Sequence, residues 1–407
     1  MLADVLLTLL TRSRCFTTDA RRPAGAFGWA TFRVAPLLSP TPARSVVCPP
    51  TLGTTMRPHL RFSSVFLLLL AGCENRESLG PAAPNFDLTA ATGGYAAVDL
   101  GTLGGSSSIA WAISDEGTIA GHSEMPDFTT HMFLKRPGGI LQDLGNLPGA
   151  VATRPMAINR REQIVGGAYP LGRFRAFLWS RATGFVDLGT LGGDNAEATD
   201  INEAGVVVGY SEIQPASREV HAFLWRSGQG MIDLGALGGS ESFAYGINDR
   251  GVVVGTWWAG RGRSFRWTRE GGMRDLQAPG IGNSAAGITN QGVIAGNFVL
   301  GDGAERAYRW VPGEGARELG FLDGGSFVRV REIGNGGHIV GLAIDKVGKL
   351  FSYLHVNGRY TVLPPLPGGA IAQVFDVNRC GQAVGYAATA TGPPHAVLWQ
   401  KNAQTGC

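Results

Sequence analysis

The sequence predicts an all-β fold: a seven-bladed β-propeller of four-stranded antiparallel blades, closed by the N-terminal strand pairing with the last blade. Three observations predict it. One phrase of about 44 residues recurs seven times. Each copy holds four short strand signals and no helical period of useful length. The array begins with one strand to spare and ends one strand short.

Four landmarks define the repeat. The acidic position of "DLG" falls at Asp99, Asp143, Asp187, Asp233, Asp275, Glu318 and Val362, at spacings of 44, 44, 46, 42, 43 and 44 residues. An aliphatic residue precedes a polar turn at Ile113, Ile158, Ile201, Ile247, Ile288, Ile333 and Val377. A glycine ends an apolar run at Gly121, Gly166, Gly209, Gly255, Gly296, Gly341 and Gly385. The centre of an aromatic phrase lies at Phe133, Phe177, Phe223, Phe265, Tyr308, Tyr353 and Val397.

The fourth copy shows the strands in order: "FAYGIN", "VVVGT", "SFRW" and "GMRDL". "DRG" between the first two suits a tight hairpin. "VVV" is apolar on successive residues, so both of its faces should be buried. A solenoid would need polar capping repeats at both ends, yet the first and last copies are as apolar as the middle ones. "YAAVDLG" at 95–101 is a lone fourth strand, and "HAVLW" at 395–399 is a last third strand. Pairing them completes the seventh blade.

Residues 95–407 resemble the HAF repeat family of bacterial extracellular proteins. "DLGTLGG" at 99–105 and 187–193, "INEAGVVVGYS" at 201–211 and the phrase His221-Ala222-Phe223 carry the resemblance. The sixth and seventh copies, with "YLH" and "AVLW", depart from it. The blade order also resembles kelch propellers. The resemblance implies an extracellular location and a repeat type, and no particular biochemical role.

Upstream, "MRPHLRFSSVFLLLLAGCENRES" from Met56 has a basic start and an apolar run too short to span a bilayer. Leu70-Ala71-Gly72-Cys73 resembles the lipobox of bacterial lipoproteins. The resemblance implies cleavage before Cys73 and lipidation of its thiol, with several acyl chains anchoring together. Glu74 rather than aspartate implies the outer membrane or cell surface. The expected divisions are a doubtful leader at 1–55, a signal peptide at 56–72, a flexible tether at 73–94 and the propeller at 95–407. Translation is expected to begin at Met56.

The overall charge of +3 hides an asymmetry. Residues 1–72 hold eight Arg and two acidic residues; the remainder holds 27 Lys and Arg against 30 Asp and Glu, a balance of −3. A mildly acidic body without a basic stripe argues against a nucleic-acid partner. Beyond the lipid site, Cys380 and Cys407 fall on turns of one face of the last blade, and an oxidising compartment permits a disulfide between them.

Repeated residues read as scaffold. The "DLG" aspartate is expected to accept backbone hydrogen bonds, the Asn after the conserved Ile to serve its turn, and the Trp at 179, 225, 267, 310 and 399 to pack between blades. Variable loops read as binding sites. In "TWWAGRGR", Trp257, Trp258, Arg261 and Arg263 form a candidate ligand patch, because Trp offers a stacking face and Arg a carboxylate fork. In "HSEMPDFTTH", His122, Glu124, Asp127 and His131 are metal-capable types without a recognised spacing, so no metal and no cofactor are expected. The chain has no G-x-S-x-G, H-E-x-x-H or phosphate loop.

The sequence therefore predicts a monomeric, extracytoplasmic, lipid-anchored propeller that binds a protein or glycan of the cell envelope through its loop face. The anchor would be its only membrane contact. The alternatives are a hydrolase or lyase with residues gathered at the central channel, and a purely structural envelope protein.

Overall fold

The computed structural model describes residues 94–401, apart from 171–172, 216–218, 323 and 391. The chain divides into residues 1–74 and 75–407, and every described residue belongs to the second part. The leader, the signal peptide, Cys73 and Cys407 lie outside the described residues.

Among the described residues there are strands and no helices. A lone strand, β1 (Tyr95–Asp99), precedes a series of meanders. The first is β2 (Ser108–Ile113), β3 (Ile119–Glu124), β4 (Thr130–Lys135) and β5 (Gln142–Gly145). The second is β6 (Thr153–Ile158), β7 (Ile164–Ala168), β8 (Arg175–Ser180) and β9 (Gly184–Asp187). The third is β10 (Ala196–Ile201), β11 (Val207–Glu212), β12 (Val220–Arg226) and β13 (Gly230–Asp233). The fourth is β14 (Glu241–Ile247), β15 (Val253–Trp258), β16 (Gly262–Thr268) and β17 (Gly272–Asp275). The fifth is β18 (Gly282–Ile288), β19 (Ile294–Val299), β20 (Glu305–Val311) and β21 (Gly315–Glu318). The sixth is β22 (Phe327–Ile333), β23 (Ile339–Ile344), β24 (Leu350–Val356) and β25 (Arg359–Leu363). The last stretch is β26 (Ala372–Val377), β27 (Ala383–Ala388) and β28 (Pro394–Lys401).

Each of the first six meanders pairs antiparallel in chain order. The third and fourth are joined into one eight-stranded sheet by a single parallel bridge, Val220 to Glu241. The last three strands take β1 as their fourth, with Tyr95 opposite Lys401 and Asp99 opposite Val397.

The apolar runs pack face to face between neighbouring meanders. Val207 joins the cluster that holds Val165 and Leu178 of the second meander. Val208, pointing the other way, joins Ala244, Val253 and Phe265 of the fourth. This is the physical meaning of an uninterrupted "VVV": each strand contributes to two cores, at about 1.5–3 kcal/mol for each valine fully buried. The glycine that ends the run is equally determined. Gly209 lies opposite Phe223, and a Cβ on it would sit 2.0 Å from the Glu197 carbonyl oxygen and 2.9 Å from the Phe223 ring. The ring fills the space that the missing side chain leaves.

The Asn after the conserved aliphatic residue has two jobs. Asn202 Oδ1 accepts the N–H groups of Ala204 and Val206 at 3.1 and 3.0 Å, closing its own hairpin. Its Nδ2 donates to the carbonyl of Asn248 in the next meander at 3.1 Å. Asn159 reaches Asn202, Asn248 reaches Thr289, and Asn378 reaches Ser114, all in the same way. One position further on, a backbone N–H reaches the next meander's side chain: Arg160 to Glu203, Glu203 to Asp249, Asp249 to Asn290 and Asn290 to Asn335.

The "DLG" aspartate also serves twice. Asp233 Oδ1 accepts the N–H of Gly235 at 2.7 Å, and the carboxylate pairs with His221 at 2.8 Å. The same pairing joins Asp99 to His395, Asp143 to His131, Asp187 to Arg175, Asp275 to Arg263 and Glu318 to Arg306. The sixth meander has Val362 in the acidic position and Phe351 in the basic one, and both pack into one apolar cluster. Acid and base are replaced together.

Two stability effects follow. Gly209→Ala should lower the urea-unfolding free energy by roughly 3 kcal/mol, since backbone must move to admit the methyl group. Asn202→Ala should lower it by about 1–3 kcal/mol. Asn202→Ser, which can still offer a hydroxyl oxygen to its turn as Ser114 does to Thr118 and loses the donor to Asn248, should fall between Asn202→Ala and the parent. Equal losses from the two Asn202 variants would show that the turn acceptors contribute nothing.

Candidate functional site

The inner strand of every meander carries the same irregularity. Its register against the second strand slips by one residue, between Ala110 and Ala112, Pro155 and Ala157, Ala198 and Asp200, Ala244 and Gly246, Ala285 and Gly287, Val330 and Glu332, and Val374 and Asp376. A bulge of this kind leaves the extra residue unpaired and re-aims its side chain. The residues concerned are Trp111, Met156, Thr199, Tyr245, Ala286, Arg331 and Phe375. All seven line one cavity of about 620 Å³. The repeated backbone thus presents a ring of seven unlike side chains.

Three large members of the ring are held in place. Phe375 stacks on Trp111 with centroids 4.3 Å apart, and the Arg154 guanidinium lies 5.2 Å from the Trp111 ring. Trp111 Nε1 donates to His122 Nδ1 at 3.0 Å. Burial, helped by the Arg154 charge, pulls the His122 pKa down to about 4. The imidazole is therefore neutral at neutral pH, with its proton on Nε2, and fixes the plane of Trp111. Arg331 closes the series with its guanidinium 5.8 Å from the Phe375 ring.

Two residues before the bulge, Arg154 and Glu197 face each other across neighbouring inner strands. Arg154 donates to Glu197 Oε1 at 2.5 Å. The hydroxyls of Tyr169 and Tyr210 also donate to this carboxylate, the first at 3.5 Å. Desolvation first, and then the Glu197 charge, raise both phenols; Tyr169 is pushed up to about 12. They remain hydrogen-bond donors at any physiological pH.

Beside the bulges, three carboxyl groups converge on the cavity with no cation paired to them among the described residues. Asp200 accepts the N–H groups of Ile201 and, from the next meander, Ile247, each at 2.7 Å. Asp376 likewise accepts from Val377 at 2.6 Å and from Ile113 at 2.8 Å. Glu332 accepts from Ile333 at 2.9 Å and fills the space beside Gly287. Burial pushes Asp200 up to about 7 and Asp376 up to about 6. Burial and the other two carboxyls raise Glu332 further above the usual carboxylate range.

The residues singled out from sequence are arranged differently. Trp257 and Trp258 are adjacent on β15 and point to opposite sides, as strand geometry requires. Trp257 packs against the core between the third and fourth meanders, while Trp258 is 43% exposed. Arg261 is exposed, and Arg263 is engaged with Asp275 at 2.7 Å. The outward patch is therefore Trp258 with the two arginines. Of the metal-capable set, His122 bonds Trp111, Glu124 bonds Ser106, Asp127 caps Thr129 and His131 pairs with Asp143. They do not converge, and no group of three metal-capable residues occurs among the described residues. Cys380 is disulfide-bonded, and its expected partner, Cys407, lies outside the described residues.

The bulged residues differ from the loop residues that the sequence singles out. A signal did exist. Two positions before the conserved aliphatic residue, the copies read Trp, Met, Thr, Tyr, Ala, Arg and Phe within an otherwise repeated phrase.

No family model and no curated protein matches the chain. Solved structures do. A streptogramin B lyase aligns with a TM-score of 0.51 at 13% identity, over 76% of this chain and 98% of its own. The fold is a β-propeller. A virginiamycin B lyase from Staphylococcus aureus aligns with a TM-score of 0.50 at 12% identity, over 75% of this chain and 99% of its own. An oligogalacturonate lyase from Vibrio parahaemolyticus gives 0.50 at 10%, over 76% and 97%. At these identities the likeness establishes the propeller architecture and leaves the activity of this one open. Its meanders are blades, and the seven bulged residues line one cavity among them.

The raised carboxyls make stability pH-dependent in a specific direction. Asp200 holds its proton up to about 7 when folded and loses it near 4 when unfolded. The folded state therefore binds more protons between these values, and stability falls as pH rises through them. His122, lowered to about 4, acts oppositely, so the parent's own profile is mixed. The difference between Asp200→Asn and the parent isolates the carboxyl. That difference should shift in the variant's favour by roughly 2–3 kcal/mol from pH 5 to pH 8, read from urea melts at each pH. A flat difference would mean that Asp200 is ionised throughout.

Proposed function

We propose that residues 95–407 form a closed ring of seven blades, with β1 completing the last, and that the ring binds a glycan or protein of the cell envelope in its axial channel. On this reading the protein is extracytoplasmic, monomeric and held at the outer membrane or cell surface by lipid on Cys73. The observation that carries the binding function is the bulge ring: one position per copy, different in every copy, lining one cavity. A scaffold position repeats its residue; a recognition position does not. The bonds from the last stretch to the first meander, Ile113 N–H to Asp376 and Ala396 N–H to Ser108 Oγ, support closure. The loop patch around Trp258 is a second place for the same partner.

A second reading has its own observation. The Arg154–Glu197–Tyr210 cluster sets a carboxylate and a phenol on the channel wall, groups that can exchange a proton with a bound substrate. A hydrolase or lyase acting in the channel would use them.

In-cell crosslinking and co-purification separates these readings. The parent is compared with Trp111→Ala/Phe375→Ala and with Trp258→Ala/Arg261→Ala. The channel reading expects one envelope component recovered with the parent and the loop variant, and at least tenfold less with the channel variant. Loss only with the loop variant moves the site to the loop face. Recovery of nothing specific removes the binding reading; turnover of an envelope glycan that Glu197→Gln abolishes would then establish the enzyme.

A further inference from the structure

The ring is uneven, and its unevenness indicates what enters it. At the bulge position between Tyr245 of the fourth blade and Arg331 of the sixth, the fifth blade presents only the small Ala286, with Ser284 on the same strand, while Asn297 and Glu305 from its next two strands also line the cavity. A gap in the wall results. Three hydrogen-bonding groups line the same cavity: the Arg331 guanidinium and the hydroxyls of Tyr245 and Ser284. Among the described residues none of the three side chains forms a hydrogen bond or ion pair. The neighbouring guanidiniums differ in this respect, since Arg329 is bound by Glu305 at 2.7 and 2.8 Å and Arg154 by Glu197.

Arg331 is also held for use. Asn297 grips the backbone of Val330, accepting its N–H at 2.7 Å and donating to its carbonyl at 3.2 Å. On the other side Glu332 accepts the N–H of Ile333. The bulge that presents Arg331 is thus pinned at both ends. The ring of Phe375 supports its guanidinium from the seventh blade. Desolvation and then the like charge of Arg329 disfavour the Arg331 cation, while Tyr386 and Glu305 offset part of this, and a bound anion would add to the offset.

We propose that the gap at Ala286 is a carboxylate subsite, and that the channel takes ligands carrying a carboxylate on a ring, such as an acidic sugar. Arg331 forks the carboxylate, and the Tyr245 and Ser284 hydroxyls donate to its remaining lone pairs. Trp111 and Phe375 border the body of the ligand. This rests on the channel-binding reading and adds the ligand's chemistry to it.

The test is calorimetric titration with two probes of equal length, a glucuronate-terminated and a glucose-terminated oligosaccharide, against the parent, Arg331→Gln and Arg331→Lys. Thermal melts check that the variants fold. The expected result is at least tenfold tighter binding of the acidic probe by the parent. Arg331→Gln should remove that preference while leaving affinity for the neutral probe within about twofold, and Arg331→Lys should retain part of it. Equal affinity of the parent for both probes overturns the proposal, as does a preference that survives in Arg331→Gln, or binding of neither probe. Failure of the channel reading itself shows separately, as crosslinking indifferent to Trp111→Ala/Phe375→Ala.

Discussion

The asparagine that follows the repeated aliphatic residue in four of the seven copies is the contact on which the rest depends. Its oxygen shapes a turn within one blade, and its amide nitrogen reaches the carbonyl of the next. A local preference of Asn for turns thereby becomes a rule for stacking blades. The buried groups it satisfies would each cost about 1–3 kcal/mol if left alone. Where another residue replaces it, the turn survives by other means: Thr289 and Ser114 still offer a hydroxyl to their turns. The bond to the next blade is what is lost, and the buried carboxyls of Asp200 and Asp376 add comparable links nearer the axis.

That scaffold leaves one position free. Inward-facing residues on either side of each bulge are fixed by cores shared between blades, where a changed volume is felt on both sides. The bulged residue lines the cavity instead. It can change chemistry without disturbing the repeat. Trp111, Phe375 and Arg331 show the result, a rigid arc on one side of the channel with Thr199 and Ala286 leaving room on the other. His122 and Asn297 belong to second strands, yet each serves this arc, one by fixing an indole and the other by pinning a bulge.

Much of this was legible in the sequence, and the limit has a physical cause. Periodicity exposes whatever repeats, so the strands, the glycine beneath Phe223 and the two-sided burial of "VVV" could be read directly. The pairing of Asp233 with His221 was legible too, because Val362 and Phe351 break it together, but it was not read. The functional ring is the opposite case. A bulge is one extra residue in a ladder, and a strand pattern counted in twos gives no sign of it. Trp257 misled for the same reason: adjacent strand residues point apart, so a Trp pair is one core residue and one surface residue. Arg263 looked free because its partner Asp275 lies on the next strand.

The pairing of β1 with β28 sets the order of events during synthesis. The first strand made waits for the last, with its hydrogen-bonding edge open while some three hundred residues follow. An open edge invites pairing with any other strand. Blades can form one after another, but a chain that lacks β28 leaves β1 and β27 each without the neighbour between them. The last sheet is therefore a latch that only the arrival of β28 can fasten.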